Sequence, residues 1–129
     1  MIDVHDLCVG NWVYDGNKTQ FPMFIQAVGE DYVLLDFEGN EGDLWESKPE
    51  ELYGIPLTES LLIQCGFGLR DGMCRRGAVK VKPATGFVCI EYQSEGQLTA
   101  SVTCKDIGYL HQLQNLVYMI TRQQLKVHL

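Results

Sequence analysis

His111, Asn115, Tyr118 and Arg122 could act together on a ligand if one helix carries them. On a helix that turns roughly 100° per residue, they fall within about 60° of one another. All four carry hydrogen-bonding groups, and a guanidinium beside a phenol can grip a phosphate, a carboxylate or an aromatic ring. The competing account is a solvated helix face, which amphipathic helices normally present. A second concentration lies earlier in the chain. Arg70, Arg75, Arg76, Lys80 and Lys82 place half of the ten cations inside thirteen residues, interleaved with glycines. Glycine lets backbone amides approach an anion, and arginine forks bind phosphate or carboxylate. No Gly-Lys-Ser/Thr follows, so this is not a P-loop. Pairing of these cations with the acidic segment 30–51, within or between chains, is the simpler account.

Catalytic and metal signatures are weak. His5 and Cys8 stand three apart without a third group to orient them as a nucleophile pair. The three histidines and five cysteines never reach zinc-ligand spacing. Glu38, Glu41, Asp43 and Glu46 are acidic but lack the Asp-x-Asp-x-Asp-Gly order of a calcium loop. No catalytic residue, metal or cofactor is assigned on these grounds. Trp12, Tyr14, Phe37 and Trp45 could line a peptide groove, although aromatics on half-buried strands are more often core.

Charge is unevenly spread. Residues 1–60 hold 13 acids and 2 bases, a net of −11; residues 61–129 hold 4 acids and 8 bases, a net of +4. The total of −7 disfavours loose nucleic-acid binding, since phosphates are repelled at long range. The polarity permits the halves to attract one another, and self-association of the chain is one consequence. No secretory leader and no apolar run of membrane-spanning length is seen, so no membrane partner is expected. Scattered, odd-numbered cysteines fit free thiols and a cytoplasmic location.

The elements that must position these residues predict an α+β protein in two parts. Residues 1–57 read as five short strands with tight turns, an SH3-like β-barrel or a curled sheet. They are Asn11 to Tyr14, Phe21 to Val28, Tyr32 to Phe37, Leu44-Trp45 and Leu52 to Ile55. Turns fall at Asp15-Gly16-Asn17, Gly29-Glu30-Asp31 and residues 39–43. Residues 58–129 read as a short helix, an antiparallel meander, a long helix and a last strand. Thr58 caps the short helix, Leu57 and Leu62 stand at staple spacing, and Gly66 stops it. Residues 66–77 are a loop or loose hairpin. Strands follow at 78–82, 87–93 and 98–104, by alternation, with turns at 83–86 and Ser94-Glu95-Gly96. The long helix is expected from about Ile107 to Gln123, burying Tyr109, Leu110, Leu113, Leu116, Val117 and Ile120. Residues 125–129 alternate again and are expected to close the sheet.

Three segments carry a resemblance. Leu7-Cys8-Val9-Gly10-Asn11-Trp12-Val13, Ile55-Pro56-Leu57-Thr58-Glu59 with Cys65-Gly66-Phe67, and Tyr109-Leu110-His111-Gln112-Leu113-Gln114-Asn115-Leu116 occur in that order. Together they resemble a family of small uncharacterised proteins from gut Bacteroidetes and their phages or mobile elements. The resemblance implies an origin and a compartment but no activity. It also implies Thr-Gly after the last helix, where this chain has Thr121-Arg122. The reading that follows is a noncatalytic protein-interaction module of a phage or mobile element, with an unknown protein partner. The alternatives are a nucleic-acid-associated protein binding through residues 70–82, and an enzyme of unknown class.

Overall fold

β-Branched and aromatic runs broken by glycine turns give short antiparallel strands, and the computed structural model carries ten of them among the residues it describes, 2–16, 21–93 and 99–129. They form two sheets of five strands, and the chain divides into two compact units, Met1–Ile55 and Pro56–Leu129.

In the first unit the strands are β1 (Trp12–Asp15), β2 (Pro22–Val28), β3 (Val33–Asp36), β4 (Trp45–Ser47) and β5 (Leu52–Gly54), in the order β4-β3-β2-β1-β5. Pro22, lacking an N–H, takes the first position of its strand. Val13, Ile25, Val33, Leu35 and Leu52 are fully buried and, with Ile2, Leu7 and Met23, form the core of this unit. Phe37 packs against that core. The sheet is curled rather than closed. Ser47, on edge strand β4, donates its hydroxyl to Asp15 at the end of β1 at 2.7 Å, although two strands lie between them in the sheet. Strands β4 and β5 nevertheless remain edges, so the closed barrel is not formed. The expected turn at Asn17 falls outside the described residues.

The second unit opens on α1 (Glu59–Gln64), whose ends follow the local signals. The Leu61 N–H donates to Thr58 Oγ1 at 3.1 Å. Gly66 stops the helix at φ +89°, with its N–H on Ile63 O and the Phe67 N–H on Leu62 O. This is the paired-carbonyl cap that only a left-handed residue allows. Leu57, Leu62 and Phe67 are buried around it.

Strands β6 (Gly68–Arg70), β7 (Met73–Arg76), β8 (Val79–Lys82), β9 (Phe87–Gln93) and β10 (Thr99–Cys104) then run as one meander, in the order β10-β9-β8-β7-β6. Of the two readings of residues 66–77, loop or loose hairpin, the hairpin is the one formed, and it is regular. Its turn is Asp71-Gly72, both at positive φ (55° and 76°), the two-residue geometry that matches strand twist. The turn expected at residues 94–96, and Leu98, lie outside the described residues.

Helix α2 spans Leu110–Thr121, shorter than the expected 107–123. Tertiary bonds hold the residues before it. Asp106 sits at φ 62°, the Ile107 N–H donates to Gly86 O, and Gly108 O accepts from the Leu57 N–H. Tyr109 bridges to Pro56. Backbone groups committed in this way cannot enter a helical ladder. Gln112 Oε1 reaches back to the N–H groups of Gly108 and Tyr109 and caps the start.

At the other end Arg122 adopts the left-handed conformation, φ 60°, with its N–H on Tyr118 O at 2.8 Å. The residue that glycine would suit is thus an arginine, and the helix still stops there. Arg122→Gly is expected to raise stability by about 0.5–1 kcal/mol, the cost of a Cβ in that conformation less the greater freedom of unfolded glycine. A urea midpoint that stays put or falls would refute this.

The last strand is absent. Residues 125–129 have no ladder pairing, although their alternation is kept: Leu125 and Val127 are buried, and Lys126 and His128 are exposed.

Candidate interaction surfaces

Register sorts the five cations of the 70–82 region. In an antiparallel sheet, directly paired residues point to the same side and neighbours along a strand to opposite sides. Cys74 pairs with Val81 and Val81 with Val88, all three fully buried. Arg75 pairs with Lys80, Arg70 with Met73, and Lys82 with Phe87. Arg70, Arg75, Lys80 and Lys82 therefore share the outer face of the second sheet.

Arg76 belongs to the other face, in the row of Val79 and Ile90. Its Nη1 donates to Cys65 O at 2.9 Å and to Lys126 O at 2.7 Å. One guanidinium thus ties the end of α1 to the C-terminal segment. Arg76 is a structural clamp, placed where the free carbonyls of a helix end favour a cation.

On the outer face, Arg70, Arg75 and Lys82 are exposed, and Arg75 Nε folds back onto Gly77 O. Lys80 meets Glu91 at 3.1 Å, with both side chains partly exposed. Such a pair holds geometry more than it adds stability. Phe87 and Cys89, half-buried on β9, stand opposite Lys82 and Lys80, and Ser101 and Thr103 lie exposed on β10. Neither a family model, nor a curated protein, nor a solved structure matches this chain.

The polar strip of α2 is not the continuous exposed face that the helical wheel predicts. His111 is buried at 4% exposure and stacks on the Tyr109 ring at 5.9 Å. Asn115 is half-buried, while Tyr118 and Arg122 are outward. The buried side of the helix is Leu110, His111, Leu113, Gln114 and Val117. Relative to the expected stripe it is rotated toward His111 and Gln114, leaving Tyr109 exposed and Leu116 and Ile120 only half-buried. Hydropathy alone could not place a histidine and a glutamine on the packed side.

The aromatic set also divides. Trp12 is buried against Phe24 at 5.1 Å, and Phe37 meets Phe21 edge-on at 5.5 Å. Tyr14 is half-buried, whereas Trp45 on edge strand β4 is 59% exposed. Two of the four rings are packed inward and one faces solvent, so they do not line one groove.

Titratable groups show no convergent site among the described residues. Burial pushes the thiols of Cys65 and Cys74 up, opposed at Cys65 by Arg76 and reinforced at Cys74 by Glu59. Both are thereby held as inert thiols. Asp36 lies below the usual carboxylate range because the Asn40 amide and the Phe37 N–H donate to it, which organises the turn after β3. Among the described residues no group of three His, Cys, Asp or Glu side chains could hold a metal. No helix there is long and apolar enough to cross a membrane.

Proposed function

We propose that this chain is a noncatalytic interaction module and that the outer face of its second sheet is the surface that binds. The observation that supports this reading is the placement of Arg70, Arg75, Lys80 and Lys82 on one open sheet face with Glu91 as the acid beside them. A sheet presents such side chains at fixed spacing on a rigid element, which favours recognition of an extended anionic surface over attack on a small substrate. The partner is accordingly an acidic protein surface. The phage or mobile-element setting rests on the Tyr109 to Leu116 run and its companion segments.

A second reading has the same face take single-stranded nucleic acid. Phe87 favours it, because the register sets that ring directly opposite Lys82, and a base can stack on an aromatic beside a cation. The net charge of −7 opposes it.

Both readings are tested by titrating the full chain at low salt with polyglutamate and, separately, with a single-stranded oligonucleotide. Arg75→Gln/Lys82→Gln should weaken binding of the preferred probe about tenfold and flatten its salt dependence by about 1.5 in log K against log salt. Affinity unchanged by the double substitution would remove the face from consideration. Preference for the oligonucleotide would select the second reading.

A further inference from the structure

We infer that the occupant of this basic face is the acidic first unit of a second copy of the chain, in a contact that salt dissolves. The inference rests on the reading of that face as a binding surface. Three observations carry it.

The first is complementarity of charge between the two units. Residues 1–55 hold 12 acids and 2 bases, a net of −10, and residues 56–129 hold 5 acids and 8 bases, a net of +3. The first unit therefore carries far more carboxylates than its own two cations can match.

The second is the form of the acidic surface. A hollow of about 440 Å³ on the first unit is lined by Asp3, Glu30 and Glu50 together with Ile2, Val4 and Pro49. Carboxylates beside an apolar lining suit a side chain with an aliphatic stem and a cationic head. Arg70, Arg75 and Lys82 are such side chains, exposed on the second unit.

The third is what symmetry allows. A two-fold contact through the basic face would set arginine against arginine, which like charges forbid. Basic face on acidic unit is attractive, whether it is reciprocated about a two-fold axis or repeated from copy to copy. Nucleic acid is the weaker occupant. Three exposed cations give a salt slope of only about −2 on a single strand, against repulsion from the first unit.

The test is sedimentation velocity of the full chain between about 50 mM and about 500 mM salt, where the screening length falls several-fold. Expected is a mass above the 14.6 kDa monomer at low salt that returns to 14.6 kDa at high salt. Arg75→Gln/Lys82→Gln should be monomeric throughout, and so should Glu30→Gln/Glu50→Gln. Mixed in equal amounts, the two variants should form a complex that neither forms alone, since each retains the patch the other lacks. Glu→Gln is isosteric, Arg75→Gln and Lys82→Gln shorten exposed side chains, and a near-ultraviolet spectrum matching wild type checks that each variant is folded. Arg70→Gln, on the neighbouring strand, should weaken association by itself. A wild-type chain that stays monomeric at low salt, or variants that do not complement, would overturn the inference. If that chain still binds polyglutamate through Arg75 and Lys82, the interaction module survives with another partner. If no anionic probe binds, both fall.

Discussion

Gly86→Ala should cost the second unit about 3 kcal/mol or more, well above the usual effect of one added methyl. Two independent penalties meet at this position. Its φ of +70° is one that a side chain resists, worth about 1 kcal/mol. The second is steric and larger. A Cβ there would stand 2.9 Å from Ile107 N, 3.0 Å from Asp106 Cα and 3.1 Å from Asp106 C. These are backbone atoms, and they cannot swing aside as the tip of a side chain can. The Ile107 N–H is bonded to Gly86 O at 2.9 Å, so relief would break that bond and shift the segment leading into α2. Gly72→Ala is the control, because its φ is +76° and a Cβ there meets nothing within 4 Å. It carries the conformational penalty alone, about 1 kcal/mol. Urea unfolding of both variants should show Gly86→Ala with much the lower midpoint and an unchanged m-value. Equal midpoints would mean that the close approach does not hold in solution.

Arg76→Met is expected to cost about 2–3 kcal/mol, with most of the loss felt at the C-terminus. Methionine keeps much of the aliphatic stem, so the difference reports the guanidinium. That group donates from one nitrogen to Cys65 O and Lys126 O, and charge-assisted bonds of this kind are worth about 1.5–3 kcal/mol when one side is removed. Leu125 and Val127 are buried on either side of Lys126, so release of that carbonyl should let the segment leave. The measurement is a urea midpoint together with limited proteolysis after residue 122. Wild type should resist cleavage there and Arg76→Met should not. Arg76→Lys should fall between them, since an ammonium retains the charge but not the planar geometry. A midpoint shift below about 0.5 kcal/mol, the range of ordinary surface changes, with unchanged cleavage would contradict the clamp.

These two residues also mark the limit of what a sequence discloses. Signals that are complete within a few positions were legible. Thr58, Leu57, Leu62 and Gly66 define α1 without help from the rest of the chain, because a cap, a staple and a left-handed stop act locally. Alternation through Val79–Lys82 and Phe87–Gln93 marks two strands of the second sheet for the same reason. Asp71-Gly72 is equally local, and its dipeptide is sufficient to select the hairpin over the loop.

The strands of both units, the ends of α1 and the uneven charge were therefore determined by the sequence itself. Tertiary structure decided the rest. It decided that α2 begins at Leu110, because residues 106–109 bond to Gly86, Pro56 and Leu57. It decided that His111 is packed and that Arg122 ends a helix in a conformation arginine resists. It also divided adjacent Arg75 and Arg76 between a binding face and a clamp. Neighbours on a strand must point opposite ways, but only pairing with Lys80 and Val79 says which side is which. In each case the deciding partner lies outside the few residues that a local signal spans, and composition and spacing carry no record of it.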